Sequence, residues 1–280
     1  MLQRATTSVR LRLADALDLA LGRGDPLIPP RRLWFVGNSD FRETGEEFRV
    51  HLHRFAELAP GDRVLDIGCG IGRIARVLVT ELGPPSGSYD GFDVAHRAIS
   101  WCRKHYRGTP VPFRFARANL GHPVYNPDGA GDPASFRFPY EDGAFDLAIA
   151  VSLFTHLLDA PAERYLAEAA RVLAPGGRLF GTWFALDDKR PPAPGDAMIS
   201  FSPTAGAALV VDPAKPERAV AYPLSWIRGC LKRHGLALRE PILQGSWTGR
   251  AGVSSQDILI ADRITPPRQT QLPGMSVMRP

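Results

Sequence analysis

The chain has 280 residues, with 34 Lys+Arg against 29 Asp+Glu, a net charge of +5 and 44% hydrophobic residues. That balance excludes a disordered chain, and the length suits one large domain or a domain with a cap. Thirty of the basic residues are arginine, scattered among acids without a block of five like charges, which points to compositional bias rather than a nucleic-acid face.

Cys69, Cys102 and Cys230 are odd in number and far apart, so they make neither a disulfide framework nor a zinc cluster, and they suit a reducing cytoplasm. The longest apolar run, Leu147 to Leu153, is far shorter than the ~20 residues needed to cross a bilayer.

At the N-terminus Val9, Leu13, Ala16, Leu17, Ala20 and Leu21 recur at helical spacing near Arg4, Arg10 and Arg12. Asp15 and Asp18 interrupt the positive face and no cleavage site follows, so a short cap helix packed on the domain is expected rather than a transit peptide. Trp34, Phe35, Asn38, Asp40 and Phe41 form an aromatic and polar cluster that either covers a ligand or packs the cap. Thr44 and Glu47 read as a capping box, opening a helix with Phe48, Leu52 and Phe55 on one face. In that helix His51 and His53 face different sides, one packed and one exposed.

From there strands and helices alternate. Arg63 to Ile67 is a short buried strand, broken by Gly68, Gly70 and Gly72 before a helix through Ile74 and Leu78. Tyr89 to Val94 is a second strand, followed by a helix to Tyr106. Val111 to Ala116 and Phe145 to Val151 are the third and fourth strands. A helix carrying Tyr165, Leu166, Ala169 and Val172 stops at Pro175-Gly176-Gly177, and Arg178 to Phe184 is the fifth strand. A helix around Trp226 to His234 and strands near Leu236–Leu243 and Asp257–Ala261 follow. The alternation predicts an α/β fold, a mostly parallel seven-stranded sheet covered by helices on both faces.

Three stretches break the pattern. Gly121 to Ser135 is a Gly/Pro/Asp-rich loop, Asp187 to Tyr222 is a Pro-rich insertion after the fifth strand with the length of a lid, and Pro266 to Pro280 is a tail without periodicity. The chain therefore divides into a cap segment (1–44), a domain (45–265) and a flexible tail (266–280).

The segment Val64-Leu65-Asp66-Ile67-Gly68-Cys69-Gly70-Ile71-Gly72 carries the most chemistry. A strand that runs through glycines into a helix brings backbone N–H groups close to a ligand. Arg73 stands where a third dinucleotide-motif glycine would fall, which speaks against an NAD-dependent oxidoreductase. Asp66 would repel a pyrophosphate and attract an ammonium group, while Asp93 ends the next strand, where an acid can accept both ribose hydroxyls. An amine and a ribose in one ligand suggest S-adenosylmethionine.

At this point the sequence resembles the class I S-adenosylmethionine-dependent methyltransferases, chiefly the small bacterial methyltransferase-domain type. The resemblance rests on V-L-D-I-G-C-G-I-G-R, on F-P-Y-E-D-G-A-F-D at 138–146 and on A-P-G-G-R-L at 174–179, and it covers roughly residues 45–265. It implies a Rossmann-like fold with Asp66, Gly68, Cys69, Gly70 and Gly72 at the methionine end of the cofactor and Asp93 on the ribose. Val94 and the pair Asn119-Leu120 would flank the adenine, and Ser152 would join the cofactor site. Asn119 departs from the aspartate many members carry, though an amide oxygen can still accept from the adenine amino group.

His156, just past the fourth strand, is the candidate general base; its other reading is a histidine that caps or braces the loop. The reaction expected is methyl transfer to an O or N atom of a small-molecule acceptor in the cytoplasm, without a metal. RNA or protein methylation and a non-catalytic S-adenosylmethionine-fold partner protein are the rivals. The nucleic-acid reading is demoted because Ser152-Leu153-Phe154 stands where amine methyltransferases of nucleic acids carry a Pro-Pro motif.

Overall fold

A computed structural model describes residues 11, 13–18, 20–21, 24–34, 40–123, 125–187 and 199–264. The first helix of the domain, α1 (Phe41–Ala56), turns Phe41, Gly45, Phe48, Leu52 and Ala56 inward at intervals of three and four. It begins before the expected capping box. Asp40 is the cap, its carboxylate accepting from the N–H groups of Arg42 and Glu43, while Glu47 is drawn away to the Ser254 hydroxyl at 2.5 Å.

The strand β1 (Arg63–Ile67) lies at the middle of the main sheet. Its apolar residues divide between two cores, Val64 into one and Leu65 with Ile67 into the other, because successive side chains leave opposite faces. One core is closed by α1, α2 (Arg73–Leu78) and α3 (His96–His105), the other by α4 (Asp159–Val172) and α5 (Leu224–Arg233).

With β2 (Ser88–Asp93), β3 (Phe113–Arg117), β4 (Phe145–Ala150) and β5 (Leu173–Trp183), β1 forms a run of parallel strands. The seven-stranded sheet runs β10-β11-β5-β4-β1-β2-β3, with β10 (Leu236–Leu238) and β11 (Asp257–Arg263) last in the chain; only β11 opposes its neighbours. The strand order reverses between β1 and β4, so a crevice opens at the carboxyl ends of those strands.

Some elements differ from expectation. Helix α4 stops at Val172 rather than at Pro175-Gly176-Gly177, because Leu173 already pairs with Phe145 and the register shifts before Arg178 meets Leu147. Strand β10 ends at Leu238, short of Pro241, which has no N–H to give a ladder; Leu243 then makes a lone bridge to Ile258.

The insertion after β5 is no open lid over its described residues. It contributes β7 (Ser202–Pro203), β8 (Leu209–Val210) and β9 (Val220–Pro223), which join β6 (Ala185–Leu186) in a second sheet of order β6-β9-β8-β7. Phe184, Ala221 and Trp247 are its core. Asp257 of β11 stitches this sheet to the first, accepting from Ala185 N, Gly245 N and Trp247 Nε1 at 2.7–2.8 Å.

In the N-terminal segment, where a short cap helix is expected, the described residues 11, 13–18 and 20 are helical. Its acids hold it down: Asp15 and Asp18 pair with Arg31 at 3.0 and 2.6 Å, while Leu13, Leu17 and Leu21 remain exposed. The boundary expected at residue 44 falls inside α1. The remaining N-terminal positions, Phe35, Asn38 and the 266–280 tail lie outside the described residues. Among the described residues no helix is long and apolar enough to cross a membrane.

Candidate active site

The crevice at the carboxyl ends of β1, β2 and β4 is a pocket, and nine of the eleven residues singled out in the sequence line it: Asp66, Gly68, Cys69, Gly70, Asp93, Val94, Leu120, Ser152 and His156. The glycine turn shapes one wall. Gly68, Gly70 and Gly72 all have positive φ, between 55° and 82°, a conformation open to glycine and strained for residues with a Cβ. The turn is held by β2: Gly68 N and Cys69 N donate to Phe92 O at 2.9 and 3.0 Å, and Gly70 N donates to Asp93 Oδ2 at 2.9 Å.

Gly72 and Asn119 are the two that do not line the pocket. Gly72 packs below it, its carbonyl accepting from the Tyr106 hydroxyl at 3.0 Å, so its part is to turn the chain into α2. Asn119 is exposed, its Oδ1 taken by Arg117 at 3.2 Å and Asn126 at 3.3 Å. Leu120, buried beside Asn119, lines the pocket, whereas Asn119 does not.

The pocket's electrostatics centre on two carboxylates from neighbouring strands. Asp66 is buried and pushed up to about 7 by loss of water, against the pull of the Tyr89 hydroxyl it accepts at 2.7 Å, with the Asp93 charge adding to the rise. Asp93 is also raised by burial, opposed by the N–H groups of Ala95 and Gly70. Two desolvated acids on one wall favour a ligand that brings positive charge and hydroxyl donors. On the same wall Arg73 is lowered by burial, and its guanidinium lies over Phe41 at 5.9 Å.

The wall after β4 is shaped by a strained turn. Ser152 has φ of 53°, and its N–H donates to Thr182 Oγ1 at 2.7 Å; both hydroxyls converge on Gln256 Oε1. The turn Phe154–His156 follows, and His156 Nδ1 lies 2.8 Å from the carbonyl of Glu217. A carbonyl only accepts, so Nδ1 carries the proton and Nε2 is the basic nitrogen.

Sequence reasoning missed His122, Tyr125 and Arg73, which also line the pocket. His122 and Tyr125 stand in the Gly/Pro/Asp-rich loop past β3; the available signal was their place after a parallel strand, where this architecture gathers its ligands. Of the open cases, Trp34 and Phe41 stack at 5.7 Å and line the pocket. Trp183 stacks on Phe154 at 4.0 Å within the core, and Tyr222 stacks on Trp226 at 4.2 Å. His51 is buried and His53 exposed, bonded to Glu81.

Comparison with known proteins adds the decisive observation: a family model described as "Methyltransferase domain" matches residues 64–177. Over residues 64–177 the chain is similar to that methyltransferase domain. The chain is similar to the methyltransferase GfsG of Streptomyces halstedii, 30% identical over 49% of this chain and 43% of the relative. It is also similar to an O-methyltransferase of Pyrenophora dematioidea, 30% identical over 48% of this chain and 43% of the relative. The chain thus spans under half the length of these curated relatives.

Among solved structures, a Pyrococcus horikoshii protein matches with a TM-score of 0.54 at 19% identity, covering 81% of this chain and 93% of its own. A SAM-dependent methyltransferase from Methanosarcina mazei scores 0.51 at 19% identity, over 75% and 95% of the two chains. The [4+2]-cyclase SpnF scores 0.52 at 18% identity, over 82% and 86%. These likenesses establish the methyltransferase fold, and a fold hosts more than one chemistry.

The residues present fit the cofactor of this domain. Asp66 and Asp93 are desolvated acids joined in no ion pair among the described residues, Val94 and Leu120 give an apolar flank, and Arg73 lines the same pocket. Among the described residues no group of three or more His, Cys, Asp or Glu could hold a metal.

Proposed function

We propose that this chain transfers a methyl group from S-adenosylmethionine to an oxygen or nitrogen of a small-molecule acceptor. The observation that carries the reading is the meeting, in one pocket, of two desolvated carboxylates with a histidine whose tautomer is set by a main-chain carbonyl. Asp93 would hold the ribose hydroxyls, Asp66 would face the ammonium group, and Arg73 would face the carboxylate. When bound, the cofactor supplies an electrophilic methyl carbon.

The protein's part is then positioning and proton removal. Holding an acceptor in line with the methyl group accounts for ~7–11 kcal/mol of barrier in well-oriented reactions. A base adds a further ~10²–10⁴-fold when the acceptor is protonated, and His156 Nε2 is the nitrogen for that role. The names of the relatives, a methyltransferase and an O-methyltransferase, support methyl transfer, the second to oxygen. The three buried free thiols suit a reducing cytoplasm.

The test is transfer of labelled methyl from S-adenosylmethionine to a panel of phenols and amines. Label in product supports the reading; tight cofactor binding without any transfer across the panel counts for a non-catalytic partner protein.

A further inference from the structure

We propose that the N-terminal helical segment is a docking surface for an anionic lipid bilayer, which it meets with a stripe of exposed leucines. The docking does not depend on what the pocket transfers.

The segment faces the wrong way for a helix that merely packs on its domain. Beyond residue 20, Leu21 N closes a further turn on Leu17 O at 2.9 Å. Leu13, Ala16, Leu17, Ala20 and Leu21 recur at helical spacing on one side, and all five are exposed. The three leucines are 65%, 58% and 54% exposed. The opposite side, with Leu11, Ala14, Asp15 and Asp18, is half-buried. A surface helix ordinarily buries its apolar stripe and leaves its acids in water. Here the acids face the protein and the leucines face out.

Ion pairs fix that orientation. Asp15 Oδ1 accepts from the Arg31 guanidinium at 3.0 Å and from Arg31 N at 3.3 Å. Asp18 Oδ2 accepts from the same guanidinium at 2.6 Å. Turning the leucines inward would break all three bonds.

Charge and area select the occupant. Residues 1–32 contain Arg4, Arg10, Arg12, Arg23, Arg31 and Arg32 against Asp15, Asp18 and Asp25. Each of these aspartates is already paired, Asp15 and Asp18 with Arg31 and Asp25 with Arg76 at 2.7 Å, while Arg32 is exposed. An apolar stripe in a segment with surplus arginine fits an anionic headgroup layer, into which such helices sink ~5–10 Å without crossing. Three leucines fall well short of the ~800 Å² that each partner gives a standard protein interface, so a second copy of the chain is the poorer occupant.

The docking helix also connects to the pocket. The Arg31 guanidinium that holds it lies 5.7 Å from the Trp34 ring, and Trp34 stacks on Phe41 at the pocket wall. A docked chain would hold that wall near the lipid surface.

The experiment sediments the full chain with vesicles of phosphatidylcholine alone and of phosphatidylcholine mixed with phosphatidylglycerol. The wild type is compared with a triple variant, Leu13→Gln, Leu17→Gln and Leu21→Gln. The expected result is wild-type binding to the anionic vesicles that weakens with salt and is weaker on the neutral ones. Binding should fall about tenfold or more in the triple variant, whose melting temperature should be unchanged because the leucines are exposed. Amide exchange over residues 11–21 of the wild type should slow when anionic vesicles are added, a reading that needs no variant. Absent wild-type binding, equal binding by the variant or to neutral vesicles, or unslowed exchange overturns the proposal. A wild-type dimer in sedimentation velocity that the triple variant dissolves would assign the stripe to a second copy and overturn it too.

Discussion

His156 donates its Nδ1 proton to the main-chain carbonyl of Glu217 across 2.8 Å, and that bond joins the turn after β4 to the turn Pro216–Arg218 between β8 and β9. The insertion therefore sets which ring nitrogen of His156 is basic. The bond separates two roles by mutation. His156→Asn keeps an amide N–H for Glu217 O but has no basic nitrogen. It should retain wild-type melting while methyl transfer falls by ~10²–10⁴-fold. His156→Ala should lose both the transfer and about 1 kcal/mol of stability. Labelled-methyl transfer and thermal melting read the two effects, and full turnover in His156→Asn would leave the histidine structural.

Asp66 gives a pH signature with a definite sign. Its carboxyl is raised from 3.8 to about 7 in the folded chain, so its contribution to stability is complete below the ordinary value and is lost as pH rises through about 7. The melting temperature of the ligand-free wild type should therefore fall relative to Asp66→Asn as pH climbs toward neutrality. A bound ammonium group favours the ionised acid, so S-adenosylmethionine should bind more tightly with rising pH until about 7. That slope should vanish in Asp66→Asn. A pH-independent difference between the two proteins would remove Asp66 from the cofactor's ammonium group.

Asp257 holds the sheets together by accepting from Ala185 N, Gly245 N and Trp247 Nε1 while itself buried. Asp257→Ala strands three buried donors, each costing ~1–3 kcal/mol. Urea unfolding should show a loss of about 3 kcal/mol or more, and Asp257→Asn, which keeps one acceptor oxygen, should lose less. An unchanged midpoint in Asp257→Ala would mean that the second sheet stands without this clamp.

The main sheet and most of the pocket were legible because spacing encodes them. Asp66 stands one residue before the end of β1 and Asp93 ends the neighbouring parallel strand, and three glycines after β1 can only be a turn held against β2. What escaped depends on partners distant in sequence. The helix start moved to Asp40 because Glu47 is taken by Ser254, far along the chain. That the Asn119 amide oxygen accepts from Arg117 and Asn126 is likewise something no strand period reveals. His122 was hidden in a loop without periodicity, and β7 and β8, two residues each, are too short to show any.

The most direct measurement is calorimetric titration of S-adenosylmethionine into the wild type and Asp93→Ala, with NAD as the control ligand. The expected result is one cofactor bound per chain, at least about tenfold weaker binding in the variant, and no heat from NAD. Equal affinity in the two proteins, or NAD binding where S-adenosylmethionine does not, would contradict the assignment of the pocket.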